Sequence, residues 1–92
     1  MKGLPTLIKL RQRELDVLRR NASTLMDELE KLQTEENRLI EKLLQEQTLA
    51  SQQTEMASFF GNFAKGNKER QELNRNLQKA VETKIEQMQE QI

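Results

Sequence analysis

Neither cysteine nor histidine occurs among the 92 residues. Their absence excludes a disulfide framework, a thiolate nucleophile, an imidazole base at neutral pH and nearly all zinc sites. Ser23, Ser51 and Ser58 consequently have no histidine to activate them. Adjacent carboxylates such as Asp27 with Glu28, or Glu35 with Glu36, point about 100° apart on a helix and cannot share a substrate. Gly61 and Gly66 precede no Lys-Ser/Thr pair after a strand, so they make no phosphate loop. The sequence therefore predicts no enzyme, and it offers no catalytic, metal-binding or cofactor-binding residue.

Tryptophan and tyrosine are missing too, and proline occurs once. No run of about 18 apolar residues is present, nor a charged-then-apolar leader, so neither a membrane span nor a secretory signal is expected. Fifteen basic and fifteen acidic side chains cancel, which gives no reason to expect nucleic acid or stable membrane insertion. A reducing cytoplasm is the default compartment. Apolar residues make up only 35% of the chain, and the mean hydropathy is -0.86. That is too little for a globular core, so burial must be linear, along seams.

What is present is a periodic stripe: Leu4, Ile8, Leu15, Leu18, Ala22, Leu25, Leu29, Leu32, Leu39, Leu43 and Ala50. Written as heptads with Ile8 at a and Leu4 at d, it drifts so little against a 3.5-residue repeat that it must face a partner helix along its length. Glu36 and Glu46 are its acidic defects and Arg11 its basic one, while Ile40 and Leu44 widen it. Helix one is expected from about residue 5, because Pro5 suits a first turn, to about residue 50. Thr48, Ser51, Gln52, Gln53 and Thr54 break the pattern, which places a reversal at about 51–55. Helix two follows over about 56–92, its apolar series running Met56, Phe59, Phe60, Phe63, Ala64, then Leu73, Leu77, Ala80, Val81, Ile85, Met88 and Ile92. The leucines of helix one are expected to pack against Phe63, Leu73, Leu77, Ala80 and Val81.

Charge decides the direction of pairing. Residues 1–20 carry six Lys/Arg against two acids, 27–41 six acids against two bases, 65–79 five bases against two acids, and 80–92 three acids against Lys84. Folding back near residue 53 sets position 65 opposite about 41 and 79 opposite about 27, basic block on acidic block. A parallel dimer would instead set Glu28, Glu30, Glu35 and Glu36 beside their own copies. The expected fold is thus all-α, a single coiled-coil domain over 1–92 forming an antiparallel two-helix hairpin. An antiparallel dimer of two chains satisfies the same arithmetic. So small a seam also makes self-association into a helical bundle reasonable.

Two regions stand out as partner-binding candidates. The fold-back leaves Met1 to about Arg13 unpaired, basic, and exposing Leu4, Leu7, Ile8 and Leu10, of which Leu7 and Leu10 are the candidate contacts. The other is the cluster Phe59, Phe60 and Phe63, which holds every aromatic of the chain; two consecutive rings cannot both enter one narrow seam, so at least one is available as an anchor. Lys65, Lys68, Arg70, Arg75 and Lys79 are expected to meet the acidic block of helix one. No aromatics interleave with them as nucleic-acid binding would require. The apolar and basic residues of Leu4–Arg13 do not separate cleanly enough for an interfacial membrane helix.

The opening Leu4-Pro5-Thr6-Leu7-Ile8-Lys9-Leu10, the run Glu14-Leu15-Asp16-Val17-Leu18-Arg19-Arg20 and the segment Phe60-Gly61-Asn62-Phe63-Ala64 together resemble the FliJ family of flagellar export proteins. The likeness covers most of the chain in layout and is specific at those three places, although FliJ chains are usually longer. It implies an antiparallel hairpin similar to the coiled-coil stalk of the rotary ATP synthase gamma subunit. It also implies a cytoplasmic component of the type III export apparatus, peripheral at the flagellar base, with the export ATPase ring, the export gate and substrate chaperones as protein partners. A generic oligomerisation or scaffold coiled coil is the alternative.

Overall fold

The computed structural model describes residues 3–91 as two long helices with no strand among them, α1 over Gly3–Gln52 and α2 over Thr54–Gln91. Met1, Lys2 and Ile92, the last expected in the second arm, lie outside the described residues. The two helices hold 50 and 38 residues, which end to end would reach roughly 130 Å at 1.5 Å per residue. The molecule measures 81 × 15 × 12 Å. Its length is that of α1 alone, and α2 lies back along it: Asn67 meets Leu39 and Arg75 meets Glu36. The fold is an all-α, extended helical hairpin.

Pro5 sits in the first turn of α1, where its missing N–H costs no hydrogen bond, and no second proline follows to interrupt 50 residues of helix. The helix begins two residues earlier than Pro5. The reversal takes one residue, Gln53, whose N–H still reaches the Leu49 carbonyl (3.1 Å) and whose own carbonyl accepts from Met56 (3.0 Å). No described residue has positive φ, so the bend is made without the left-handed conformation that glycine supplies. Hydroxyls assist on both sides: Thr48 bonds back to the Leu44 carbonyl, Ser51 to that of Thr48 and Ser58 to that of Glu55. Such back-bonding competes with the regular ladder and loosens a helix where it must end. Glu55 in the first turn of α2 complements the partial positive charge there.

On α1 the seam runs through Leu15, Leu18, Ala22, Leu25, Leu29, Leu32, Glu36, Leu39, Leu43, Glu46 and Ala50, every one half-buried or buried. From Leu15 onward the expected stripe and both of its acidic defects therefore face α2, whereas its first two members, Leu4 and Ile8, are exposed. The seam of α2 differs from expectation. It runs through Phe60, Ala64, Asn67, Gln71, Asn74, Gln78, Val81, Ile85 and Met88 at unbroken three-four spacing, whereas Leu73 and Leu77 stand 61% and 48% exposed and Ala80 is exposed. These three residues do not pack in the seam as expected. The cause is phase: Val81, Ile85 and Met88 below and Phe60 and Ala64 above fix one heptad register, and Leu73, Leu77 and Ala80 lie one position off it, about 100° round the helix.

Four amides occupy the middle of the seam instead. Asn67 Nδ2 donates to the Leu39 carbonyl (2.9 Å), Gln71 Nε2 to Asn67 Oδ1 (2.6 Å), and Gln78 Nε2 to Asn74 Oδ1 (2.6 Å). Arg75 closes the run, donating to Gln71 Oε1 and to Glu36 Oε2 on the opposite arm. No buried side-chain nitrogen or oxygen among the described residues is left without a partner, and so the amides avoid the desolvation penalty of unpaired polar groups. The buried apolar side chains are Ala22, Leu39, Val81 and Ile85, a thin core held along a line.

The charge blocks meet at one point only. Arg75 with Glu36, at 3.1 Å, is the single ion pair between the arms among the described residues; the other four lie within α1. The expected union of the basic block of α2 with the acidic block of α1 is therefore made by this one pair and not along the blocks. At three- and four-residue spacing most of these charges fall on outward faces of the two cylinders, out of reach of the opposite arm.

Candidate partner-binding surfaces

A rod this thin has no interior site, and its chemistry is that of its surfaces. Among the described residues no cluster of three or more His, Cys, Asp or Glu gathers to hold a metal ion, and no helix is long and apolar enough to cross a membrane. One carboxyl is shifted: the two hydrogen bonds from Arg38, at 2.9 and 2.6 Å, hold Glu35 below its ordinary value and raise Arg38 above its own. This is an exposed i,i+3 pair on the outside of α1, of the kind that contributes little to stability.

The first surface is the opening of α1. Leu4, Leu7, Ile8 and Leu10 are 59%, 61%, 53% and 52% exposed, and burial begins only at Leu15. Leu4 and Ile8 continue the seam heptad past the point where α2 covers it. Leu7 and Leu10 form a second row with Val17, 47% exposed, one position behind that seam. Lys9, Arg11 and Arg13 lie among them, and Arg11 is paired to Glu14 at 3.3 Å.

The second surface is the hairpin tip, where the phenylalanine candidates divide. Phe60 and Phe63 are half-buried, while Phe59 is 70% exposed. With Met56 at 38% and Leu49 at 42%, Phe59 gives the tip an apolar cap, and between residues 47 and 64 Glu55 is the single charge. Leu7 and Leu10 thus sit at one end of the rod, Phe59, Phe60 and Phe63 at the other. They do not form one site.

The two flanks were not legible as sites in the sequence. On one, Leu77, Ala80 and Val81 of α2 and Leu32 of α1 line a shallow cavity of about 440 Å³ rimmed by Glu28, Lys31 and Lys84, and Leu73 extends the apolar row by one turn. On the opposite flank a cavity of about 550 Å³ is bounded by Leu43, Lys68, Gln71, Glu72, Arg75, Asn76 and Lys79. The signal for the first was the one-residue offset between Leu73-Leu77-Ala80 and the Val81-Ile85-Met88 heptad.

Comparison with known proteins finds no matching family model, no matching curated protein and no matching solved structure.

Proposed function

We propose that this chain is a non-enzymatic component of the flagellar type III protein export apparatus, a coiled-coil rod that works by presenting surface to larger proteins. One observation carries the reading: α2 turns Leu73 and Leu77 outward while Asn67, Gln71, Asn74 and Gln78 fill its seam. Leucine on a helix surface sacrifices on the order of 2 kcal/mol of burial per side chain, and amides in a seam give up more of the same. That arrangement is costly for a hairpin that only has to stay closed, and it suits one whose outer row is covered by another protein. The resemblance of the three FliJ-like segments supplies the identity of the partners: the export ATPase ring, the export gate and substrate chaperones, met in the cytoplasm and peripherally at the flagellar base.

The same row favours a second reading, an oligomerisation or scaffold coiled coil in which a copy of the chain covers it. The test is the hydrolysis rate of a flagellar export ATPase with and without the protein, run beside a gate-binding assay and sedimentation of the protein alone. A changed rate or a measurable gate complex supports the export reading. No effect, no gate binding and a stable homo-oligomer overturn it in favour of the scaffold.

A further inference from the structure

The flank opposite Leu77 has a different character, and its two walls come from different arms. Glu36 touches Arg75 across the seam, which fixes the side of α1 that borders this groove. Ile40 lies one turn on from Glu36 and Leu44 one turn on from Ile40, with Leu43 between them lining the cavity itself. Ile40 and Leu44 are 36% and 58% exposed, so the α1 wall has an apolar centre. From Gln33 to Gln47 the residues at this edge, Gln33, Asn37, Ile40, Leu44 and Gln47, carry no charge. The α2 wall is cationic: Lys68, Arg75 and Lys79 against Glu72. Glu36 engages Arg75, whereas neither Lys68 nor Lys79 has an ion-pair partner among the described residues.

We propose that this groove is a docking site for one amphipathic helix of a partner protein, with leucine-sized residues laid along Ile40, Leu43 and Leu44 and a row of Asp/Glu laid along Lys68, Arg75 and Lys79. The occupant follows from complementarity on both walls. An apolar row alone would accept any hydrophobic helix. A cationic row alone would accept any polyanion. Side by side on the two walls of one groove, the two rows match the two faces of an acidic amphipathic helix. Lys68 to Lys79 spans roughly 16 Å along α2, three turns of such a helix. A phosphate backbone fits less well, because Glu72 stands between the cations, the facing wall carries Ile40, Leu43 and Leu44 at its centre and no cation, and no aromatic is present for a base to stack on. This site lies on the flank opposite Leu73 and Leu77 and does not depend on the export reading.

The test uses the whole chain and a synthetic helical peptide of about 18 residues with one leucine row and one glutamate row. Controls are the same peptide with lysine for glutamate or serine for leucine, anionic lipid vesicles and a short DNA duplex. Titrations followed by fluorescence anisotropy should show binding of the acidic peptide that weakens on the order of tenfold in Lys68→Glu/Lys79→Glu, in Leu44→Ser and at high salt, and that is unchanged in Leu73→Ser/Leu77→Ser. All of these positions are exposed, and circular dichroism reports whether each variant remains folded. Should the charge reversal unfold the hairpin, Lys68→Gln/Lys79→Gln gives the same reading at smaller charge change. Equal binding of the lysine peptide, loss of binding through Leu73→Ser/Leu77→Ser instead, or binding of vesicles or DNA without the acidic peptide overturns the proposal.

Discussion

Asn67 reaches across the seam and donates its side-chain amide to the main-chain carbonyl of Leu39, 2.9 Å away. Leu39 is the most deeply buried apolar residue on α1, so a polar hook is set where the seam of that arm is best shielded from water. The hook is one end of a relay, since Gln71 donates to Asn67 and Arg75 links Gln71 to Glu36. A bond from a unique side chain to a unique carbonyl fixes register in a way that leucine against leucine does not.

Replacing the four seam amides by leucine, as Asn67→Leu, Gln71→Leu, Asn74→Leu and Gln78→Leu together, should raise the melting temperature. Each swap trades paired amide for buried hydrocarbon, on the order of 1 kcal/mol apiece. The uniform row should at the same time lose its single register and its preference for the chain's own second arm. Sedimentation equilibrium should then find dimers and larger species. A variant that melts higher and remains one homogeneous monomer would show that the amides do not specify the pairing.

Leu39→Ala should cost about 2 to 4 kcal/mol, the usual penalty for removing a buried leucine that neighbouring side chains cannot replace. Leu73→Ala, at a side chain 61% exposed, should change stability by no more than about 0.5 kcal/mol. Urea denaturation of the two variants at one protein concentration checks the contrast. Equal losses would mean that α2 packs through Leu73 after all, in the phase that its apolar residues alone suggest.

That contrast marks how far the sequence could be read. On α1 the seam was legible residue by residue, Glu36 and Glu46 included, because leucine recurs over so many heptads that two polar intruders cannot disguise the phase. The bend was legible from the lapse in leucine near Gln53; the charge blocks pointed the same way, but only Arg75 with Glu36 joins them. On α2 the phase was hidden. Between Ala64 and Val81 each position that faces α1 is an amide, and the nearest apolar residues lie one step off the heptad. Hydrophobic periodicity assigns Leu73 and Leu77 to the core because it ignores amides that satisfy one another. The phenylalanine cluster was half legible for a related reason: adjacency shows that Phe59 and Phe60 must diverge, but only the register set by Ala64 and Asn67 decides that Phe59 is the one left outside.

Glu35 supplies a pH test. Its carboxyl titrates below the ordinary glutamate value because Arg38 bonds its charged form. A depressed folded-state value means that the contribution is present above the unfolded-state value and is lost as pH falls through the folded one. The guanidinium stays charged throughout. Both side chains of the pair reach solvent, so the loss in melting temperature on acidification should be small, and Glu35→Gln should remove that part of it. NMR titration should find the Glu35 carboxyl returned to the ordinary range in Arg38→Ala. An unchanged Glu35 value in that variant would show that the bidentate contact does not persist in solution.

The hairpin makes a covalent prediction that a two-chain antiparallel assembly does not. Thr24 and Gln87 line one cavity, together with Leu25 and Met88 from the two seams, although 63 positions separate them in the chain. The chain has no cysteine of its own, so Thr24→Cys/Gln87→Cys introduces the only two thiols. A short bifunctional thiol crosslinker applied at low concentration should join them within one molecule. On a denaturing gel the product should run as a compact monomer, in a yield independent of dilution, because both ends belong to the same chain and their effective concentration is fixed by the fold. In an antiparallel dimer the same two thiols would belong to different chains, and the product would be a covalent dimer whose yield falls as the protein is diluted. The position of the crosslink also reports register: moving the second cysteine half a turn, from Gln87 to Gln89, carries it to the far side of α2 and should abolish the product.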